Sequence, residues 1–152
     1  MSKIVAAGGR GQLEVIEDRV LRKREIFDFY QKNMADIPGI RFMPEPESYL
    51  STRWLTVMLV EPEKFGGNCE SIRLALEAEN IESRPLWKPM HLQPVFSASG
   101  LDNQGKRQYR ARKVAGNISE RLFGQGLCLP SGTALTTDDL GRIIDIIKGC
   151  QR

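Results

Sequence analysis

The sequence predicts one domain of α/β or α+β class, in which helices cover a small sheet. Three observations predict it. A helical apolar stripe runs from about residue 12 to 34, two short apolar runs (54–60 and 126–130) have strand composition, and amphipathic helical segments lie between and after them. Strands alternating with helices of this kind give a layer of helices on a sheet. With 152 residues, 41% hydrophobic and 27% charged, the chain suits a single domain over 1–152.

In the first element Leu13, Ile16, Val20, Phe27, Tyr30 and Met34 recur at helical spacings, with charged residues on the other faces. Acids precede bases along it, as the helix dipole favours. Ile37-Pro38-Gly39 ends it. A leading helix over 1–36 and a small α/β body over 50–152 is the expected division. Gly8, Gly9 and Gly11, ahead of the stripe, mark either close backbone approach or a frayed helix start. Pro44 and Pro46 punctuate an extended or loop segment. Trp54 to Val60 reads as a buried strand closed by Glu61-Pro62. A helix from about Asn68, its N-cap, to Glu79 follows, then a turn into a second strand at 80–87. Residues 88–113 show no periodicity, and so long a stretch in a compact domain is usually functional or mobile. A short helix near 116–123, an apolar strand at 126–130 and a last helix complete the chain. Thr136 or Thr137 caps that helix, Asp138 and Asp139 occupy its first turn, and Leu140, Ile143, Ile144 and Ile147 form its stripe.

Composition excludes several classes. A net charge of +3 is too mild for a chain built to coat nucleic acid. No apolar run approaches the roughly 18 residues of a membrane span, and the first residues make a poor signal peptide. Three cysteines without a CxxC pair argue against a zinc ribbon or a disulfide scaffold, so the cytoplasm is the expected compartment. His91, the single histidine, builds no metal site of its own, and no metal is expected. It sits on a proline-stiffened loop with Trp87 and Lys88, and is either a satisfied structural histidine or part of a surface for an anionic ligand. The run from Lys106 to Lys113, with five cations and Tyr109, is a nucleic-acid patch, a phosphate-binding loop or, as such runs most often are, a solvated loop. Neither a phosphate-binding GxxxxGK[ST] nor a GxSxG nucleophile elbow occurs, so no complete catalytic apparatus is visible.

Several stretches together resemble the C-terminal part of the DegT/DnrJ/StrS-type sugar aminotransferases. The most telling is Glu120-Arg121-Leu122-Phe123-Gly124-Gln125-Gly126-Leu127-Cys128-Leu129-Pro130-Ser131-Gly132-Thr133, followed by Leu135-Thr136-Thr137-Asp138-Asp139-Leu140. Arg84 to Phe96, with Trp87-Lys88-Pro89-Met90-His91-Leu92-Gln93-Pro94 at its centre, is similar to the segment that reaches the active site in members making 4-amino sugars on nucleotide carriers. The head, Met1-Ser2 with Ala6-Ala7 and Gly9-Arg10-Gly11-Gln12-Leu13, resembles an internal motif of the family, with Lys3 and Gly9 as departures.

The resemblance implies the small C-terminal domain of a fold type I pyridoxal-phosphate enzyme: a long leading helix and a small, mainly antiparallel sheet covered by helices. It implies glutamate and a nucleotide-diphosphate 4-keto sugar as substrates. Trp87, Lys88 and His91 would line the sugar-nucleotide site, and Arg112 would grip phosphate oxygens with its planar guanidinium. Because Met1 matches an internal methionine, a truncated gene product or separately made domain is expected. No lysine stands in the family's cofactor-binding context. Transamination needs that lysine, so no catalytic residue is assigned, no pyridoxal phosphate is expected on this chain alone, and the chain is expected to be inactive by itself. The alternative is a non-catalytic module that binds nucleotide sugars or a partner. A homodimer through the leading helix is expected from its broad apolar stripe, with neither nucleic acid nor membrane as partner.

Overall fold

The computed structural model describes residues 2–97, 104, 114 and 116–151. Helix α1 (Lys3–Leu13) starts at Ser2, whose hydroxyl accepts the Val5 N–H as an N-cap. A turn at Glu14 and Val15 separates it from α2 (Ile16–Asn33). The single leading helix expected from the stripe is therefore two. The glycine-rich head is helical, and a Cβ at Gly8, Gly9 or Gly11 would meet nothing within 4 Å among the described residues, so these glycines serve no close approach to them. The stripe is also shorter than its pattern implies. Leu13 and Ile16 are exposed, and burial begins at Ile26, Phe27, Tyr30 and Met34. Periodicity records which side of a helix is apolar, and only the body beneath it decides how far that side is covered.

Strand β1 (Ile40–Phe42) was not foreseen. It pairs antiparallel with β2 (Thr56–Val60) in the register Ile40↔Val60. Gly39 makes the entry possible. Its φ is +80°, and a Cβ there would stand 2.7 Å from the Phe65 nitrogen and 2.8 Å from the Glu61 carbonyl oxygen. Along β2, Thr56, Met58 and Val60 are buried and Val57 and Leu59 half-buried, which is the two-residue alternation of a strand with unlike faces. It is shorter than the 54–60 run because Trp54 lies outside the ladder.

A single turn, α3 (Pro62–Phe65), stops at left-handed Gly66. Helix α4 (Cys69–Ala78) opens with the expected Asn68 cap, completed into a capping box by Ser71. Strand β3 (Arg84–Pro85) follows, then a 3-10 turn at Met90–Leu92 and the short α5 (Pro94–Ser97). Helix α6 (Ile118–Gln125) runs directly into β4 (Gly126–Leu129), and α7 (Thr137–Gly149) closes the chain with a Thr136–Asp139 capping box.

The sheet order is β1-β2-β4-β3, all antiparallel. Register puts Met58 beside Leu127 and Thr56 beside Leu129 on one face. There Met58, Leu127 and Leu129 join Ile26, Tyr30 and Met34 of α2, Ile72 and Leu76 of α4, and Leu140, Ile143, Ile144 and Ile147 of α7 in one core. The Tyr30 hydroxyl donates to the Pro130 carbonyl at 2.9 Å, tying α2 to the end of β4. The opposite face of the sheet carries Val57, Leu59 and Cys128, and α6 and the segment after β3 cover it only in part. That uneven cover creates the site.

Candidate functional site

Leu86 begins the segment. Its N–H donates to the Gly126 carbonyl, continuing the β3–β4 pairing for one more bond. Its side chain crosses the strand so closely that a Cβ on Gly126 would collide with it and come within 2.6 Å of the Leu122 carbonyl oxygen. Glycine at the head of the Gly126-Leu127-Cys128-Leu129 strand thus admits the segment onto the sheet.

Beyond Leu86, Trp87 turns outward and stacks on Trp54, with ring centroids 6.4 Å apart and planes 9° from parallel. Both indoles remain 65% exposed. Trp87 and Lys88 border two cavities. One is an open cleft of about 980 Å³ bounded by Lys23, Arg73, Arg84, Lys88 and Ser131 among others. The other, about 440 Å³, is apolar and lies over the sheet face between Val57, Leu59, Leu86, Met90, Leu122 and Phe123.

The cations of the cleft differ in availability. Arg73 is held by Glu70 and Glu77 at 2.7–2.9 Å, which raises its pKa further, and Arg84 pairs with Glu82. Lys23 donates to the Trp54 carbonyl at 2.9 Å, and partial burial lowers its pKa. Lys88 is exposed, and no ion pair to it is found among the described residues. The Ser83 hydroxyl, at the cleft wall, is buried without a hydrogen-bond partner among the described residues. A cleft with two lysines and an aromatic wall suits an anionic ligand that also has a flat apolar part.

The predicted site residues are placed differently from one another. Trp87 and Lys88 meet at the cleft. His91 lies behind them, within the 3-10 turn, and its Nε2 is 2.9 Å from Glu120 Oε1 on α6. It is a tie between the segment and α6 and does not line either cavity. Arg112 and the run Lys106–Lys113 lie outside the described residues. Glu120 is 29 positions from His91, so no spacing near the histidine could have exposed it. Trp54 was visible only as a strand residue and Lys23 only as a helix-face charge; the signal for both is tertiary. Among the described residues no group of three or more His, Cys, Asp or Glu is placed to hold a metal ion.

The DegT/DnrJ/EryC1/StrS aminotransferase family model matches residues 1–148. EpsN of Bacillus subtilis (strain 168), named as a candidate pyridoxal phosphate-dependent aminotransferase, is 39% identical over 147 residues. That match takes in 97% of this chain and 35% of EpsN. A GDP-perosamine synthase of Escherichia coli O157:H7 is 30% identical over 148 residues, again 97% of this chain and 36% of the relative. Among solved structures, DesI, determined in the presence of its TDP-sugar product, superposes with a TM-score of 0.80 at 25% identity, covering 99% of this chain and 36% of DesI. The chain thus spans little more than a third of the length of these relatives. On the strength of a match that runs almost end to end, the chain belongs to the DegT/DnrJ/EryC1/StrS aminotransferase family.

Proposed function

We propose that these residues form the nucleotide-sugar-facing part of a pyridoxal-phosphate-dependent aminotransferase that converts a 4-keto sugar on a nucleotide carrier into a 4-amino sugar. The observation that carries the reading is the open cleft walled by Trp87 and Lys88, in a chain whose relatives include GDP-perosamine synthases and whose structural neighbour DesI was solved with a TDP-sugar. In this reading Lys88 faces the diphosphate and Trp87 packs on a planar or apolar part of the ligand. His91, fixed by Glu120, holds the segment at the height that brings them to the cleft. Arg112 adds a guanidinium to the phosphate oxygens.

When bound through a lysine, pyridoxal phosphate would supply the carrier for an amino group between glutamate and the keto sugar. The described residues do not fit that group by themselves. Lys3, Lys32, Lys64, Lys88 and Lys148 are exposed, and Lys23 is engaged by the Trp54 carbonyl. A nucleophilic lysine needs a neighbourhood that desolvates it and holds the ring and phosphate beside it. We therefore assign the described residues a binding role without turnover of their own, with the reacting lysine supplied from elsewhere in the intact enzyme. A cytoplasmic location belongs to the same reading.

The test is direct. The 152-residue chain should melt at a higher temperature with a TDP- or GDP-linked sugar, and Lys88→Ala should reduce that rise. It should show no visible absorbance change with pyridoxal phosphate and no transfer from glutamate. Unaided transamination by the chain would overturn the assignment.

The reading extends to assembly. Helix α1 has no buried residue, and Ile4, Val5 and Leu13 are exposed along it. Apolar surface of that kind pairs with a like surface or with the rest of a longer protein. A homodimer through this helix is expected, and light scattering that gives a monomer at high concentration would count against it.

A further inference from the structure

We propose that Trp54 joins Trp87 as a stacking platform for the planar base of a nucleoside diphosphate, and that Arg53 is the positioning residue that holds Trp54 in place. The proposal rests on the nucleotide-sugar reading and adds to it the subsite for the base.

The two indoles come from segments 33 positions apart and meet nearly parallel outside the core. Each is 65% exposed although one of its faces meets the other ring, so an outer face on each remains open. Two large apolar rings left in solvent forgo the burial that normally justifies tryptophan, and a flat aromatic ligand restores it.

The backbone that presents Trp54 is strained. Arg53 has a φ of 50°, a conformation unusual for a residue with a side chain. Its side chain shows why the chain tolerates this. The guanidinium is buried over the Phe27 ring at 3.8 Å, donates to the Met43 carbonyl at 2.9 Å, and lies 3.6 Å from Glu45. Glu45 in turn takes a two-pronged hydrogen bond from Arg24 at 2.8 and 2.9 Å and accepts the Ser51 N–H. The Arg53 side chain is pulled inward by three partners, and the neighbouring residue is thrown outward. Strain of this kind persists only where the surroundings over-determine it, and it gathers at functional positions.

The charges nearby match the ligand class. The Trp54 carbonyl accepts from Lys23 at 2.9 Å and from Ser131 at 3.4 Å, and both of those residues border the large cleft. Lys88 follows Trp87 in sequence. One ammonium therefore accompanies each indole, the arrangement that a base joined to a diphosphate would satisfy.

The sequence holds two tryptophans, so emission excited at the red edge of tryptophan absorption, where the three tyrosines do not absorb, reads this pair alone. Titration of the chain with GDP, UDP and TDP should quench its emission saturably. Pyrophosphate and a sugar 1-phosphate, which lack a base, should leave it unchanged. By calorimetry, Trp54→Ala and Trp54→Leu should each weaken nucleoside diphosphate binding about tenfold, while Trp54→Phe, which keeps an aromatic face, should stay within about twofold. Arg53→Gly allows the same backbone without the anchor, and should lower the exciton signal of the indole pair in circular dichroism. Unchanged affinity in Trp54→Ala and Trp54→Leu, with nucleotide sugars still bound, would overturn the platform and leave the nucleotide-sugar reading intact. Failure of the unaltered chain to bind either nucleoside diphosphates or nucleotide sugars would overturn both.

Discussion

Glu45 shows how a single carboxylate can organise a segment that has no regular structure. The Arg24 hydrogen bonds and the Ser51 N–H hold its pKa near 2, well below its ordinary value of 4.5. A depressed folded-state pKa contributes stability that is complete above the unfolded value and fades as pH falls through the folded one. Urea midpoints should therefore show Glu45→Gln less stable than the parent at neutral pH, with the gap narrowing from about pH 4.5 and closing near pH 2. Gly39 is a second decisive residue. Its left-handed φ and the backbone atoms crowding its missing Cβ make Gly39→Ala a loss on the order of 3 kcal/mol, read as a fall in the denaturant midpoint without a change in slope. His91 and Glu120 form a third. Replacing Glu120 by Gln keeps a hydrogen-bonding partner at 2.9 Å from the ring, whereas Glu120→Ala frees the 3-10 turn and should weaken nucleotide-sugar binding more than Glu120→Gln does. Equal binding by the two variants would mean that this tie does not position the segment.

Elements differ in how firmly local sequence specifies them. Helix α7 is written completely by its own residues: a capping box, acids in the first turn, a four-residue apolar stripe and Lys148 near the end. Thr136→Ala should cost about 1 kcal/mol, seen as a drop of a few degrees in thermal midpoint. Helix α1 stands at the other extreme. Three glycines and the absence of any buried side chain leave it with its Ser2 cap and little else, since isolated helices this short are marginal. Hydrogen exchange should accordingly find its amides fast in the 152-residue chain and slow once a partner surface covers Ile4 and Val5. Strands β1 and β3, three and two residues long, have too few positions to display an alternation, and only their ladders define them.

At the scale of the molecule, one face of the sheet is finished and the other is not. The core face buries residues from α2, β2, α4, β4 and α7 in a single cluster. The opposite face supports α6 and the segment that carries Trp87, Lys88 and His91, and leaves an apolar cavity beneath Trp87 and a cleft beside it. One face of the sheet is thus closed by the core and the other is only partly covered. That division agrees with a chain spanning about a third of its relatives. The three cysteines are free, and burial raises their pKa values, so none of them should react quickly with thiol reagents in the folded chain.

Local chemistry in the sequence determined the mixed helix-and-sheet class, the caps of α4 and α7, the apolar faces of α2 and α7, and the family motifs around Trp87 and Gly126, because each depends on residues within a few positions of one another. Tertiary structure alone decided how much of the leading stripe is covered, the pairing of His91 with Glu120, and the meeting of Trp54 with Trp87. The two pairings join residues 29 and 33 positions apart, and the left-handed turn at Arg53 lies directly beside Trp54. No periodicity along the chain can encode a distance of that kind.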